Sequence, residues 1–490
     1  MVNKSRRSSA TSATAFLLLF AVGCVPTLNG NEPREVNKSI PASFGTAGAA
    51  SGALTEAQGN AKSDANVAAQ KQWREYFGSP ELTALIGDAL KNNRELNGQL
   101  QEIVIAQTEI SAKQGDYLPR VNAFVGAGVD KPGKWTSQGV SDDAHGLPKN
   151  LGNFTFGLQG AWEIDIWKKL RNAANAANYR YLATIEARNF MITQLVAEIA
   201  RSYYDLISLD NELDVVRRNI EVQSSALEVV KLEKQAARVT ELAVQRFEAE
   251  VLKTRSRLYD VEQERVQTEN RINFLVGRYP QPVARNAETF KAPLPSEIRA
   301  GLPSQLLTNR PDVRAAELEL EATKMDVKAT RAAFYPSLSL DASVGYRSFN
   351  AEHLLTTPES LIYNIAGNLT APLLNRAAIS AQYRTANAKQ VQAVFNYEKS
   401  LLQAFTDVAN QLAMIDNLKK SYDLQAQQVE KLARSIDISN TLFQSARADY
   451  MEVLLTRRDS LEAELSLIET KKRQFQAVVN VYQALGGGWK

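Results

Sequence analysis

Side chains able to do covalent or metal chemistry are scarce in this chain. It holds one cysteine, Cys24, two histidines, His145 and His353, and five methionines. A nucleophile needs a base within reach, and a soft-metal site needs several sulfur or imidazole ligands gathered together. No such constellation is present: both histidines fall in polar loops between candidate strands, so no enzyme activity and no cofactor are expected. A net charge of +3 gives no footing for a nucleic-acid partner. The most suggestive spacing is Arg447, Asp449, Tyr450 and Glu452, where Asp449 and Glu452 stand three apart, as in a capping box.

Those residues sit at a turn between long helices. No glycine or proline occurs between Gly160 and Gly277, nor between Pro372 and Gly486, in a chain with 25 Gly and 16 Pro. Ala, Gln, Glu, Leu, Lys and Arg dominate both runs, and these are strong helix formers. Each run is too long for one helix and is interrupted once, at Arg238-Val239-Thr240-Glu241 and at Arg447-Ala448-Asp449-Tyr450. Thr240 and Asp449 are good N-cap residues. Each run therefore predicts an outgoing helix of about 70 residues and a return of about 37, roughly 105 and 55 Å long. The uncovered half of each outgoing helix needs a partner, and the helical patterns Leu82–Tyr117 and Pro303–Tyr335 have the right length. Ile192, Val196, Ile199, Tyr203, Leu206, Leu209, Leu213, Val216 and Ile220 recur at threes and fours, a coiled-coil-like seam.

Period-two patterns predict two strand pairs. Val121, Ala123, Val125, Ala127 and Val129 alternate with small or polar residues, as do Phe154, Phe156, Leu158 and Trp162. The second pair is Leu338, Leu340, Ala342, Val344 and Tyr346 with Tyr363, Ile365, Leu369 and Leu373. The two halves correspond: Leu90, Asn92 and Pro119 fall on Leu307, Asn309 and Pro336 at one offset, giving an internal repeat. At the N-terminus, Lys4, Arg6 and Arg7 precede the short apolar Phe16–Val22, an export signal too short to span a bilayer. Ala21-Val22-Gly23-Cys24 resembles a bacterial lipoprotein box, with alanine where leucine is usual, so Cys24 is the candidate lipidation site. The expected organisation is a signal peptide at 1–23, a lipid-anchored flexible segment at 24–70, a first repeat at 71–280, a linker at 281–300 and a second repeat at 301–490.

Strands of about ten residues with one apolar and one polar face suit a tilted membrane crossing, and in lipid only a closed barrel satisfies their hydrogen bonds. Four strands cannot close; three chains supply twelve. The fold class is thus a membrane β-barrel joined to a long α-helical coiled-coil barrel, closed as twelve strands and twelve helices in a homotrimer.

Three motifs then carry a family resemblance. They are Tyr482-Gln483-Ala484-Leu485-Gly486-Gly487-Gly488-Trp489; Gly301-Leu302-Pro303-Ser304 with Asn309-Arg310-Pro311-Asp312-Val313-Arg314; and Trp162-Glu163-Ile164-Asp165-Ile166-Trp167. Together they resemble the TolC-type outer-membrane efflux factors, in particular the OprM/CusC-like, NodT-type lipoprotein branch, from about residue 70 to the end. The resemblance implies a homotrimer in the cell outer membrane, palmitoylated at its lipobox cysteine, with a helical tunnel in the periplasm. It implies a passive conduit fed by a periplasmic adaptor (membrane-fusion) protein and an inner-membrane pump of the resistance-nodulation-division (RND) type. Drugs and amphiphiles are the expected cargo; copper or silver efflux and type I protein secretion are the alternatives. The implied gate lies at Arg447, Asp449, Tyr450, Glu452 and Leu455, where Leu455 replaces the aspartate of the CusC-like pattern. Asp449 and Glu452 stand equally as caps of the return helix. The implied adaptor contacts are Arg238, Val239, Thr240, Glu241, Arg447 and Ala448.

Overall fold

The computed structural model describes residues 25–28, 34–41, 44, 71–291, 303–445 and 447–489. The signal 1–23, Cys24, most of 24–70, the linker beyond residue 291, Gly301 and Leu302 lie outside the described residues.

From residue 71 the described chain opens with three helices: α1 (Trp73–Phe77), α2 (Pro80–Asn92) and α3 (Arg94–Asp116). Strands β1 (Arg120–Asp130) and β2 (Leu151–Ile164) follow, with α4 (Ser137–Ala144) in their loop. Next come α5 (Lys169–Gln235), 67 residues, and α6 (Glu241–Val276), 36 residues. Short helices α7 (Glu288–Lys291) and α8 (Leu306–Asn309) lead to α9 (Pro311–Ala332). Strands β3 (Ser337–Ser348) and β4 (Leu361–Thr370) precede α10 (Ala377–Gln444), 68 residues, and α11 (Tyr450–Ala484), 35 residues. Both turns fall where the N-cap residues Thr240 and Asp449 predict them.

The segments 82–117 and 303–335 are not continuous helices, as the pattern suggests, but break at Asn93 and Arg310. Asn93 is extended (ψ 127°), and its Oδ1 accepts from the Leu96 N–H at 2.9 Å, capping α3. Arg310 is extended (ψ 113°) because the Pro311 ring disfavours helical backbone at the residue before it.

The chain divides into two compact units. One comprises Ile103–Thr184 and Ala316–Tyr397 with the described part of Met1–Val36. It holds an antiparallel sheet in the order β1-β2-β3-β4. Register aligns like with like: Val125 faces Phe156, Phe156 faces Tyr346, and Tyr346 faces Leu361. The Phe156 and Tyr346 rings stack at 5.3 Å. On the other face Asn122, Gln159, Ser343 and Asn364 form one row.

The second unit, Asn37–Glu102, Ile185–Ala315 and Glu398–Lys490, is helical. Ile192, Val196, Ile199, Tyr203, Leu206, Leu209, Leu213 and Val216 are all buried, so the seam is the core of this unit. Tyr204 stacks on Phe475 at 4.6 Å and Tyr76 on Tyr482 at 4.2 Å, tying α5 and α1 to α11. In the N-terminal segment, the Asn37 N–H donates to Glu398 Oε1 at 3.0 Å and Phe44 stacks on Phe405 at 5.3 Å. These described parts of the segment lie seated on α10.

The long helices stop in one way. After α5 the Arg238 N–H reaches back to Glu233 O at 2.9 Å; after α6 Arg278 reaches Asn273 O at 2.9 Å; after α10 Arg447 reaches Leu442 O at 2.8 Å; after α11 Gly487 reaches Tyr482 O at 2.9 Å. This six-residue loop-back satisfies otherwise orphaned carbonyls. It needs a left-handed residue, supplied by Ala237 (φ 57°), Gly277 (φ 79°) and Gly486 (φ 81°).

Candidate functional site

At the α5–α6 turn, Arg238, Thr240 and Glu241 are exposed and Val239 is half-buried. Lys234 and Glu241 form an ion pair across the turn, and the Lys234 hydrogen bond holds the Glu241 carboxyl below its usual range. At the α10–α11 turn, Arg447 and Asp449 are exposed, and Ala448 and Tyr450 are half-buried. The two turns meet through an apolar cluster: Leu227, Val230, Val244 and Phe247 are among its buried members, and Val239, Tyr450 and Leu454 pack against it. Arg246 Nη1 lies 3.5 Å from Met451 Sδ.

The capping box read into Asp449 and Glu452 is not formed. Asp449 occupies the N-cap with extended backbone (ψ 153°) but makes no side-chain cap. The backbone closes the turn instead, with the Glu452 N–H on Asp449 O at 3.0 Å. The Glu452 side chain lines a groove of about 370 Å³ with Ser435, Ser439, Leu455 and Asp459. Leu455 is 39% exposed.

Arg457, two turns into α11, had no sequence signal, because its partners are distant in the chain. Its Nη1 donates to Val222 O on α5 at 3.2 Å and its Nη2 to Asn440 Oδ1 on α10 at 3.1 Å. Burial lowers its pKa, and its buried Nε has no partner among the described residues. Thr254 Oγ1 on α6, donating to Gln223 Oε1 of α5 at 2.9 Å, was likewise unreadable.

The motif residues are structural fasteners. Arg310 is buried, its Nε and Nη2 donating to the two Asp312 oxygens at 3.0 and 2.6 Å. Its Nη1 donates to Asp407 Oδ2 at 3.1 Å and Ala484 O at 3.2 Å. Asn93 does the same for Leu275 O at 2.8 Å. Trp489 Nε1 donates to Asn309 O at 3.1 Å, and Tyr482 Oη to Lys71 O at 2.8 Å. In the strand-to-helix turn, Asp165 accepts from the Leu170 and Arg171 N–H groups at 3.1 and 2.9 Å, capping α5. Trp167 Nε1 donates to Pro336 O at 2.8 Å.

The sheet has an apolar face that the chain itself leaves bare. Val121, Val125 and Val129 are 66%, 87% and 72% exposed, and Tyr363, Ile365 and Leu369 are 80%, 73% and 58% exposed. These are edge-strand residues aligned by register with the apolar row of the central strands. His145 follows α4, with Nδ1 2.7 Å from Ser141 O, and His353 ends a short turn in the β3–β4 loop. No described helix is long and apolar enough to cross a membrane.

A family profile described as outer membrane efflux protein matches residues 85–278 and 302–487. The pyoverdine export outer membrane protein OpmQ of Pseudomonas aeruginosa is 30% identical over 421 residues, covering 86% of this chain and 88% of OpmQ. The cation efflux system protein CusC of Escherichia coli is 28% identical, covering 85% and 88%. The toluene efflux pump outer membrane protein TtgI of Pseudomonas putida is 27% identical, covering 85% and 87%. Among solved structures, a membrane protein from Pseudomonas aeruginosa superimposes with a TM-score of 0.80 at 25% identity, over 85% of this chain and 94% of that one. CusC superimposes at 0.77 and 24% identity, over 92% and 97%, which shows a shared fold.

Proposed function

Since the chain belongs to the outer membrane efflux protein family, we propose that it is the outer-membrane conduit of a tripartite efflux system. It passes solutes outward from an inner-membrane pump of the RND type and a periplasmic adaptor. The observation that carries this reading is the bare apolar face of the sheet, backed by a polar face of Asn, Gln, Ser and Asp. Ten to fourteen residues per strand suffice for a tilted crossing of the hydrocarbon core. Unpaired edges at β1 and β4 must be satisfied in lipid. Three copies joined β1 to β4 would close a twelve-stranded barrel and bring together twelve helical columns.

Several finer features belong to this proposal. The chain is an internal two-fold repeat: 71–280, a linker at 281–300, and 301–490. A signal occupies 1–23, and Cys24 is acylated, anchoring 24–70 to the membrane. The turns at Arg238–Glu241 and Arg447–Ala448 receive the adaptor. Arg447, Asp449, Tyr450, Glu452 and Leu455 close the resting passage, Leu455 by apolar contact. Drugs and amphiphiles are the cargo; the relatives' names span pyoverdine, cations and toluene. No group of three His, Cys, Asp or Glu among the described residues is arranged for a metal. Catalysis has no part in this role, which needs no covalent chemistry.

The test is a single-channel recording on purified protein in a planar bilayer, with mass measured in detergent. Discrete conductance steps from a species of three chains are expected. A soluble monomer without conductance would overturn the reading.

A further inference from the structure

Five charged side chains share the polar face of the sheet: Arg120, Asp130, Glu163, Asp341 and Arg347. Four have local partners. Arg120 pairs with Asp116 and Glu163 with Lys169; Asp341 accepts from Asn368 Nδ2, and Asp130 from Asn153 Nδ2, each at 3.0 Å. Arg347 differs. Its Nε donates to Asn153 Oδ1 at 3.0 Å, and among the described residues it forms no ion pair. Both ends of the Asn153 amide are used, one by Asp130 and one by Arg347, so the guanidinium is held in one orientation with its Nη edge uncommitted.

Arg347 borders a cavity of about 820 Å³ at the loop end of the sheet, lined also by Asp130, Phe349, His353 and Glu359. The volume is that of a drug-sized site. Glu359 lines the same cavity without a hydrogen bond or ion pair among the described residues. Opposite charges therefore line one cavity without meeting each other. Phe349, 56% exposed, adds an aromatic ring to the same lining. The floor is fixed: buried Ser360 donates its Oγ to His353 O at 2.6 Å, and the Arg347 N–H donates to Ser360 O at 2.9 Å.

We propose that this cavity is a binding site for aromatic zwitterions. The carboxylate of the solute lies on the Arg347 Nη edge, its ammonium against Glu359, with Asp130 adding negative potential, and its ring against Phe349. Asn153 is a positioning residue for Arg347. As a last station for outgoing cargo the site rests on the conduit reading; as a binding site it does not.

The test uses fluorescence anisotropy of norfloxacin, an aromatic zwitterion, with the purified full chain in detergent. Nalidixate, a carboxylate without the ammonium, and phenylpiperazinium, an ammonium without the carboxylate, compete as half-probes. Saturable norfloxacin binding is expected, weakened about tenfold or more in both Arg347→Gln and Glu359→Gln. Arg347→Gln and Asn153→Ala should weaken nalidixate and spare phenylpiperazinium; Glu359→Gln should do the reverse. No saturable binding to the wild type, or equal losses for all three probes in each variant, would overturn the site. A protein that binds norfloxacin but gives no conductance in a bilayer would keep the site and sink the conduit.

Discussion

Gly486 stands against the backbone of Asn309 so closely that a Cβ at 486 would lie 2.4 Å from the Asn309 carbonyl oxygen. Gly277 stands to Asn92 in the same way, also at 2.4 Å. Both glycines have positive φ and both end a return helix, so each helix end is fastened to a helix break at a point where no side chain fits.

Gly486→Ala and Gly277→Ala should each destabilise the protein by more than about 1 kcal/mol, since strain and collision act together. Gly98→Ala, in α3 with open space around it, should stabilise by up to about 1 kcal/mol. Thermal unfolding in detergent compares the three.

Arg310→Ala removes the cation from two carboxylates and a carbonyl and should cost about 3 kcal/mol. Arg310→Lys should recover little, because an ammonium cannot reproduce the two-point contact with Asp312. Denaturant midpoints read both.

Burial raises the Asp205 carboxyl above its ordinary value, more than Lys472 and the Gln476 amide lower it. Burial likewise raises Glu464, against the pull of Arg218. The folded state thus holds these protons more tightly than the unfolded one. Their contribution favours folding below the ordinary carboxylate pKa of about 4 and declines as pH rises through the raised values. Asp205→Asn and Glu464→Gln should each flatten that decline, as seen in urea melts between pH 4 and 7.

If Leu455 closes the resting passage by apolar contact, Leu455→Ser should raise the conductance of the purified channel, and Asp449→Asn, which alters another residue of the same closure, should raise it less. A wild-type trace from Leu455→Ser would assign closure elsewhere.

Cys24→Ala should yield protein that carries no acyl chains. Intact-mass measurement checks this, and identical lipid content in both proteins would refute acylation at Cys24.

Much of this arrangement is legible from local pattern. Breaker-free runs announce α5, α6, α10 and α11, and the N-cap residues Thr240 and Asp449 announce their turns. Period-two alternation announces the four strands. What stays hidden depends on partners far along the chain. Asn93 looks like any polar residue in a helix until Leu275 O is beside it, and Arg457 gives no sign of Val222. Ala237 takes a left-handed turn that usually advertises itself as glycine. Asp449 has the spacing of a capping box, but the backbone closes that turn without its carboxylate.

The pairing of β2 with β3 also carries an entropic cost in assembly. β1 with β2, and β3 with β4, are neighbours in sequence and can pair locally as hairpins. The seam between them joins Phe154 to Ser348, across the whole of α5, α6 and α9. Distant pairing of this kind sets late, after the intervening helices have found each other. Until then each nascent half-sheet carries two raw edges and a greasy face, which is the condition that invites chaperone capture.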